Sequence, residues 1–310
     1  MLTLSRSLTL PDFVVIGGSK SGTHWINECL REHPEVYVTP DTHEIFFFDC
    51  HFDRGVEWYA RYFRGYRGEK RVGDVTPTYL AHPFAAKRLH GVLPEATLIV
   101  SLRNPVQRAW SKYLHVWRKG DIPSKLDFWQ ACARRPEILG DGEYFRCLAP
   151  WRRLFRPEQL HLLVLDDAAA DPFGFMSRIY DILGVDPGFR AVTTTQKTNE
   201  HQTPRSMLAA KLAFRTARFL HDNGLHWVVE QGKRWNVRGL VLQSGRNREK
   251  DPPPLAGEDR ERLVDHFQAD VAALSELVGR DLVALWLGRD HLDGQDLDRS
   301  SGESVRRVVR

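Results

Sequence analysis

Three apolar runs punctuate the chain: Phe13-Val14-Val15-Ile16, Ala96 to Leu102 (Ala-Thr-Leu-Ile-Val-Ser-Leu), and Leu160 to Leu165 (Leu-His-Leu-Leu-Val-Leu). Each is too short for a typical helix and apolar at successive positions, which predicts strands buried on both faces. Between them the period changes. Trp25, Ile26, Cys29 and Leu30 fall on one helical face, and His33-Pro34 ends that helix because proline pushes its predecessor out of the α region. Val36-Tyr37-Val38 is a short strand candidate, and Trp58, Tyr59, Tyr62 and Phe63 repeat as a core-facing helical stripe. Arg71 to Asp74 reads as a weak strand running into a turn at Thr76-Pro77-Thr78. After Leu102, Asn104 is placed as an N-cap with Pro105 at the first helical position, and that helix runs to about Lys119 and stops at Gly120.

Helical character continues between Lys125 and Phe155, broken up by Pro136, Gly140 and Pro150, and Asp171-Pro172 opens a helix that Gly184 closes. Past Val192 the chain turns polar (Thr193 to His201), then amphipathic over Met207–Leu220, with a second helical stretch at His226–Trp235 and a charged connection from Arg246 to Pro254. Leu263, Phe267, Val271 and Leu274 give Glu258–Leu277 a helical apolar face. Strands alternating with helices predict an α/β fold with a parallel sheet flanked by helices. Residues 1–290 read as a single domain with a helical insert at about 205–255, and residues 291–310 as a polar tail that frays. Ligands of such sheets sit beyond the carboxyl ends of the strands. Lys20 and Arg103 each follow a strand's carboxyl end, so topology alone puts them in one crevice.

Composition changes this picture little. The 310 residues suffice for a large core, and 42% hydrophobic with 27% charged residues is ordinary for a globular chain. The net charge of +4, partly carried by Arg299, Arg306, Arg307 and Arg310, fits local anion sites and argues against a nucleic-acid partner. Cys29, Cys50, Cys132 and Cys147 lack metal-site or redox spacing and read as reduced, mostly buried thiols, which suggests a cytoplasmic setting. Met1 to Arg6 lacks the apolar core of a signal peptide, and no apolar run is long enough for a membrane span. Nothing in the composition speaks to oligomeric state.

The chemistry centres on Gly17-Gly18-Ser19-Lys20-Ser21-Gly22-Thr23-His24-Trp25. A strand, a glycine-rich turn and a helix start aim loop amides and a helix dipole at one place, and Lys20 adds a full positive charge. The spacing is not that of a nucleoside triphosphate loop, where lysine follows the second glycine; here Lys20 precedes Gly22 and Thr23 follows it. Asp166, after the third apolar run, is the one candidate holder of Mg²⁺ at a strand end. Transfer of a sulfonate group, which carries less charge than a phosphoryl group, needs only a lysine and loop amides, so no metal is expected.

Lys20-Ser21-Gly22-Thr23-His24-Trp25 resembles the 5′-phosphosulfate loop of the sulfotransferases that use 3′-phosphoadenosine-5′-phosphosulfate (PAPS). Leu102-Arg103-Asn104-Pro105-Val106-Gln107-Arg108-Ala109-Trp110-Ser111 resembles their 3′-phosphate motif. The likeness runs on through Trp58-Tyr59, Thr76-Pro77-Thr78-Tyr79 and Asp171-Pro172 to Leu183-Gly184, covering roughly the first two-thirds of the chain. It implies a P-loop-like, three-layer fold of the sulfotransferase type and PAPS as donor, with Ser19, Lys20, Ser21, Gly22, Thr23 and His24 around the 5′-phosphosulfate. A fork from Arg103 and the hydroxyl of Ser111 hold the 3′-phosphate. Trp25 lies near the adenine by resemblance, or packs as a core tryptophan. Lys197 and Asn199, with Arg205, fall where the family closes over the nucleotide, or belong to a solvated loop.

The acceptor oxygen attacks sulfur in line, and Lys20 stabilises charge on the oxygen bridging sulfur to the 5′-phosphate. Glu44-Ile45-Phe46-Phe47-Phe48 resembles the segment in which glycan-type members carry their catalytic base. Glu44 takes that part, or His43 beside it does. Phe46, Phe47, Phe48, Trp58 and Tyr62 either wall an acceptor pocket or pack the core. His43 and Val75 stand where glycan-type members often carry lysine, which weighs against a sulfated polysaccharide acceptor. The expected activity is sulfonate transfer to a hydroxyl, or less readily an amine, of a small-molecule, lipid-like or sugar acceptor. Two rivals are a metabolite kinase with an atypical phosphate loop and a nucleotide-binding module without catalysis.

Overall fold

The computed structural model describes residues 8–123, 125–195 and 255–288, together with the backbone of 202–204 and 242–244. Lys197, Asn199 and Arg205, the Met207–Leu220 and His226–Trp235 stretches and the tail at 291–310 lie outside the described residues. β1 (Phe13–Gly17) passes through the glycine loop into α1 (Thr23–Glu32), followed by β2 (Val36–Val38) and the short α2 (Phe47–Cys50) and α3 (Val56–Ala60). β3 (Arg71–Val75), α4 (Ala85–Val92), β4 (Thr97–Leu102) and α5 (Pro105–Arg118) come next. Then follow α6 (Phe128–Arg134), α7 (Glu137–Gly140), α8 (Tyr144–Leu154), β5 (Leu160–Val164), α9 (Asp166–Ala170) and α10 (Pro172–Leu183). β6 (Gln202–Pro204) and β7 (Leu242–Ser244) form an antiparallel pair, and α11 (Gly257–Val278) and α12 (Leu282–Leu287) close the described chain.

The main sheet is parallel throughout, in the order β2-β3-β1-β4-β5. Because side chains alternate across a strand, β1 feeds two cores at once. Val14 and Ile16 join Leu98, Val100 and Leu102 beneath the aromatic residues of α2, α3 and α8 and the apolar face of α11. Phe13 and Val15 join Ile99 and Leu163 beneath α1 and α10. The result is the three-layer α/β architecture expected of these runs. Burial pushes the Cys29, Cys132 and Cys147 thiols up to about 12, and among the described residues no cysteine is in a disulfide.

Three details differ from the sequence reading. The weak run at Arg71 is an interior strand, paired with β1 on one side and β2 on the other, and it extends to Val75. Gly73 weakens its apolar signal for a packing reason: a Cβ there would lie 2.0 Å from the Phe13 ring. The stretch from Lys125 to Phe155 resolves into three helices; Pro136 caps one and Gly140 ends it, but Pro150 sits inside α8 without breaking it. β5 stops at Val164, since Leu165 already turns toward α9 while its N–H donates to Leu102 O at 2.7 Å. The predicted caps are present. Asn104 Oδ1 accepts from the Val106 and Gln107 amides at 2.9 and 3.3 Å, and Asp171 Oδ1 from Gly174 N at 2.9 Å. Among the described residues no helix is long and apolar enough to cross a membrane.

Candidate active site

The loop between β1 and α1 is held by its carbonyls. Gly18 O accepts from Ser21 N at 3.1 Å, and Ser19 O from Arg108 Nε at 3.2 Å. Lys20 O accepts from Arg103 Nη1 at 3.2 Å, and Ser21 O from Ser101 Oγ at 2.7 Å. With the carbonyls engaged, the amides of Lys20, Gly22 and Thr23 find no hydrogen-bond acceptor among the described residues. Gly22 and Lys20 both have positive φ (78° and 69°), and α1 has no acidic residue in its first turn. A left-handed non-glycine residue costs about 1–2 kcal/mol, so the surrounding contacts must impose it. Amides without acceptors at a helix start, beside a left-handed turn, form an anion cradle.

The clasp comes from three elements. β4 supplies Ser101, whose own carbonyl accepts from Gly18 N at 2.8 Å. α8 supplies the fully buried Tyr144, its hydroxyl 3.2 Å from Ser21 Oγ. α5 supplies Arg108, which is 0% exposed and donates to Ile138 O (2.7 Å), Glu137 O (3.1 Å) and Asp141 Oδ2 (3.1 Å) besides Ser19 O. Arg108, Ser101 and Tyr144 carried no assignment in the sequence. Nothing local marks an arginine as fully buried, and the groups that satisfy it come from the β1 loop far upstream and from the chain around α7 downstream.

Lys20 and Glu44 meet in one electrostatic field. Burial, reinforced by Lys112, Arg103 and Lys119, pushes the Lys20 ammonium down to about 8, while Glu44 pulls the other way. Burial also holds the Glu44 carboxyl above its ordinary range, against Lys119, Lys112 and Lys20, with Asp49 adding to the rise. Lys112 on α5 and Lys119 at its C-cap lie seven residues apart, hence on one helix face. Among the described residues neither ammonium group forms a hydrogen bond or ion pair, and both escape notice in the sequence because such charges ordinarily read as a solvated face. Arg103 sits at the end of β4, its Nη2 also 3.5 Å from Gln107 Oε1, and burial acts against its charge. Ser111 is half-buried on α5, beside Lys112.

Other predicted residues fall elsewhere. His43 is exposed, its Nδ1 3.3 Å from Glu28 Oε1 and 3.5 Å from Arg31 Nη1, and its ring packs edge-on against His24 at 4.5 Å. Donor atoms of His24, Glu28 and His43 lie within 4.8 Å of one another, but the Arg31 side chain already stands against Glu28 and His43. The Arg31 guanidinium, fixed by Thr39 O and Thr42 O at 2.7 and 2.5 Å, stands 3.1 Å from Glu28 Oε1. Trp25 is half-buried against Phe175, ring centroids 5.8 Å apart, within the core under α1 and α10. Phe47 and Phe48 are fully buried and Trp58 and Tyr62 nearly so, all in the core on the other face, whereas Phe46 is half-buried. Asp166 accepts the Trp286 indole N–H at 3.0 Å.

Comparison with known proteins bears on the family and the fold. The model of a family described as "Sulfotransferase domain" matches residues 10–217. The chain is 32% identical over 188 residues to heparan sulfate glucosamine 3-O-sulfotransferase 6 of Mus musculus, covering 56% of this chain and 52% of that protein. It is 40% identical over 111 residues to the membrane-associated sulfotransferase kil1 of Dictyostelium discoideum, covering 35% of this chain and 23% of that one. A longer, 28% identical match over 302 residues joins 90% of this chain to 31% of the mouse bifunctional heparan sulfate N-deacetylase/N-sulfotransferase 2. The chain thus spans about half or less of these relatives' length. A crystal structure of a sulfotransferase from Alicyclobacillus acidocaldarius shares the fold, with a TM-score of 0.62 at 24% identity over 89% of this chain and 98% of that one.

Proposed function

The chain belongs to the sulfotransferase domain family, and from that premise we propose that it transfers the sulfonate group of PAPS to a sugar hydroxyl. The observation that carries the reading is the pairing of a carbonyl-clasped, amide-open loop bearing Lys20 with a half-buried carboxylate, Glu44, in the same field. The loop amides suit the 5′-phosphosulfate. Arg103 and Ser111, flanking the first two turns of α5, suit the 3′-phosphate that distinguishes this donor from ATP.

Glu44 takes the acceptor hydroxyl's proton. The oxygen attacks sulfur as the bond from sulfur to the 5′-phosphate oxygen breaks, and Lys20 stabilises the negative charge left on that oxygen. Between the two base candidates, the exposed side and Arg31 contact of His43 favour Glu44. The family membership argues against the kinase alternative, and the raised carboxyl of Glu44 against a merely binding module.

Lys112 and Lys119 surround Glu44 with positive charge that no described carboxylate neutralises by contact. That supports a sugar bearing carboxylate or sulfate groups, in keeping with relatives named for heparan sulfate despite His43 and Val75. Labelled-sulfonate transfer to a glucosamine–uronic acid oligosaccharide, compared with its carboxyl-reduced neutral form, tests the acceptor; preference for the neutral form overturns it. For the donor, adenosine 3′,5′-bisphosphate raises the Tm without added metal and more than ATP with Mg²⁺ does. The reverse order restores the kinase reading.

A further inference from the structure

The segment that carries Glu44 has little regular structure of its own. It enters α2 through Phe46, whose φ of 57° and ψ of 30° are left-handed, and α2 has no side-chain cap from its own N-cap residue. Two backbone N–H groups flank that residue, and each is bound by a hydroxyl: Ile45 N donates to Thr76 Oγ1 at 3.1 Å, and Phe47 N to Tyr79 OH at 2.9 Å. Both hydroxyls in turn donate to one carboxylate. Thr76 Oγ1 donates to Asp74 Oδ1 at 2.7 Å, and Tyr79 OH to Asp74 Oδ2 at 3.0 Å, with Tyr59 OH adding a third bond to Oδ2 at 2.8 Å. Asp74 is 1% exposed at the carboxyl end of β3, and Thr76 and Tyr79 are 0% exposed.

A hydroxyl has one proton and two lone pairs. An ionised carboxylate accepts only, so it draws the proton of each hydroxyl to itself and leaves their lone pairs facing the amides. The orientation of both anchors is therefore set by a single buried group.

We propose that Asp74, acting through Thr76 and Tyr79, is the positioning residue for the catalytic base, fixing the Ile45 and Phe47 amides so that Glu44 is held toward Lys20. The proposal rests on the reading of Glu44 as base. Misplacing a reacting group by about an ångström costs up to about 100-fold in rate. Thr76→Val keeps the shape and removes the acceptor; it lowers kcat about 10- to 100-fold, Thr76→Ser restores it, and Asp74→Asn behaves like Thr76→Val. KM for PAPS and the Tm shift with adenosine 3′,5′-bisphosphate stay within about twofold of the parent, because the donor loop is untouched.

The decisive measurement is a cycle with Glu44→Gln, rates being read with the uronic acid oligosaccharide or, where it is not accepted, as transfer to water. Once the base is gone, Thr76→Val has no further effect on turnover. Equal losses in both backgrounds overturn the proposal, as does a folded Asp74→Asn protein with parental kcat. Amide exchange over residues 43–50 keeps the two readings apart. If Glu44→Gln leaves turnover unchanged, the base assignment fails. If Thr76→Val fails to speed exchange at Ile45, the anchoring itself is wrong.

Discussion

Replacing Lys20 with methionine should make the protein more stable while removing its chemistry. The ammonium sits in a partly desolvated place with Lys112, Arg103 and Lys119 around it, and its pKa falls from 10.5 to about 8. A difference of that size corresponds to about 3 kcal/mol of unfavourable free energy at neutral pH. Lys20 is partly exposed, so solvent screening brings the usable figure to about 1–2 kcal/mol. The sign follows from proton binding. Below about pH 8 folded and unfolded chains both hold the proton, and the fold bears the full cost of the charge. Between about 8 and 10.5 the folded chain releases it first and the cost shrinks; above 10.5 it is gone. Methionine keeps the aliphatic stem and discards the charge, so Lys20→Met gains about 1–2 kcal/mol at pH 7, or about 3–6 °C in Tm. The gain falls to less than half near pH 9.5. Sulfonate transfer meanwhile drops by about 10²–10³. Denaturant unfolding of parent and variant at both pH values gives the comparison directly. A variant less stable than the parent at pH 7, or a gain that is the same at both pH values, would refute the view that this lysine is held against its own electrostatics.

Other outcomes follow from the same contacts. Arg108→Met strands the Asp141 carboxylate and three carbonyls in the interior, at a cost of about 3–5 kcal/mol in denaturant unfolding, and weakens adenosine 3′,5′-bisphosphate binding through the freed Ser19 carbonyl. Gly22→Ala forces a side chain at φ 78° with its Cβ 2.8 Å from Leu165 Cδ1, so stability falls by about 2 kcal/mol and donor affinity falls with it by calorimetry. Glu44 must be ionised to accept a proton and burial raises its pKa, so kcat/KM falls with decreasing pH through a limb above the ordinary carboxylate value of about 4.3. A limb at or below that value in the pH profile sinks the base assignment.

What the sequence made legible is what repeats or stands next to its partner. β1 and β4 announce themselves because a parallel strand covered on both faces is apolar at nearly every position, Thr97 and Ser101 being the polar interruptions in β4. The Asn104-Pro105 and Asp171-Pro172 helix starts are visible because a cap and its targets are two or three residues apart. Lys20 is visible because the loop packs its glycines and lysine into one short run. Arg108 is in plain sight within the second motif, yet its role is unreadable there. Its four acceptors come from the β1 loop and from the chain around α7, and only tertiary structure joins them. Lys112 and Lys119 fail for the opposite reason: helical spacing shows that they share a face, but not that Glu44 faces it.

The weakest strand in the sequence is the one on which the proposed base, Glu44, depends. β3 loses its apolar signature to Gly73 and Asp74, one emptied to admit the Phe13 ring and the other charged in the interior. An ionised carboxylate buried to 1% exposure persists because three hydroxyls satisfy it, and burial still raises its pKa to about 6. That cost is not repaid by packing, for an apolar residue would fill β3 at least as well. It is matched by the order imposed on Ile45 and Phe47, on either side of a left-handed phenylalanine. His43 and Glu44 look equivalent as neighbours in sequence. They are separated by what surrounds them: the anchoring that begins at Ile45 follows directly on Glu44, which feels the lysines, whereas the histidine stands with Glu28 and Arg31.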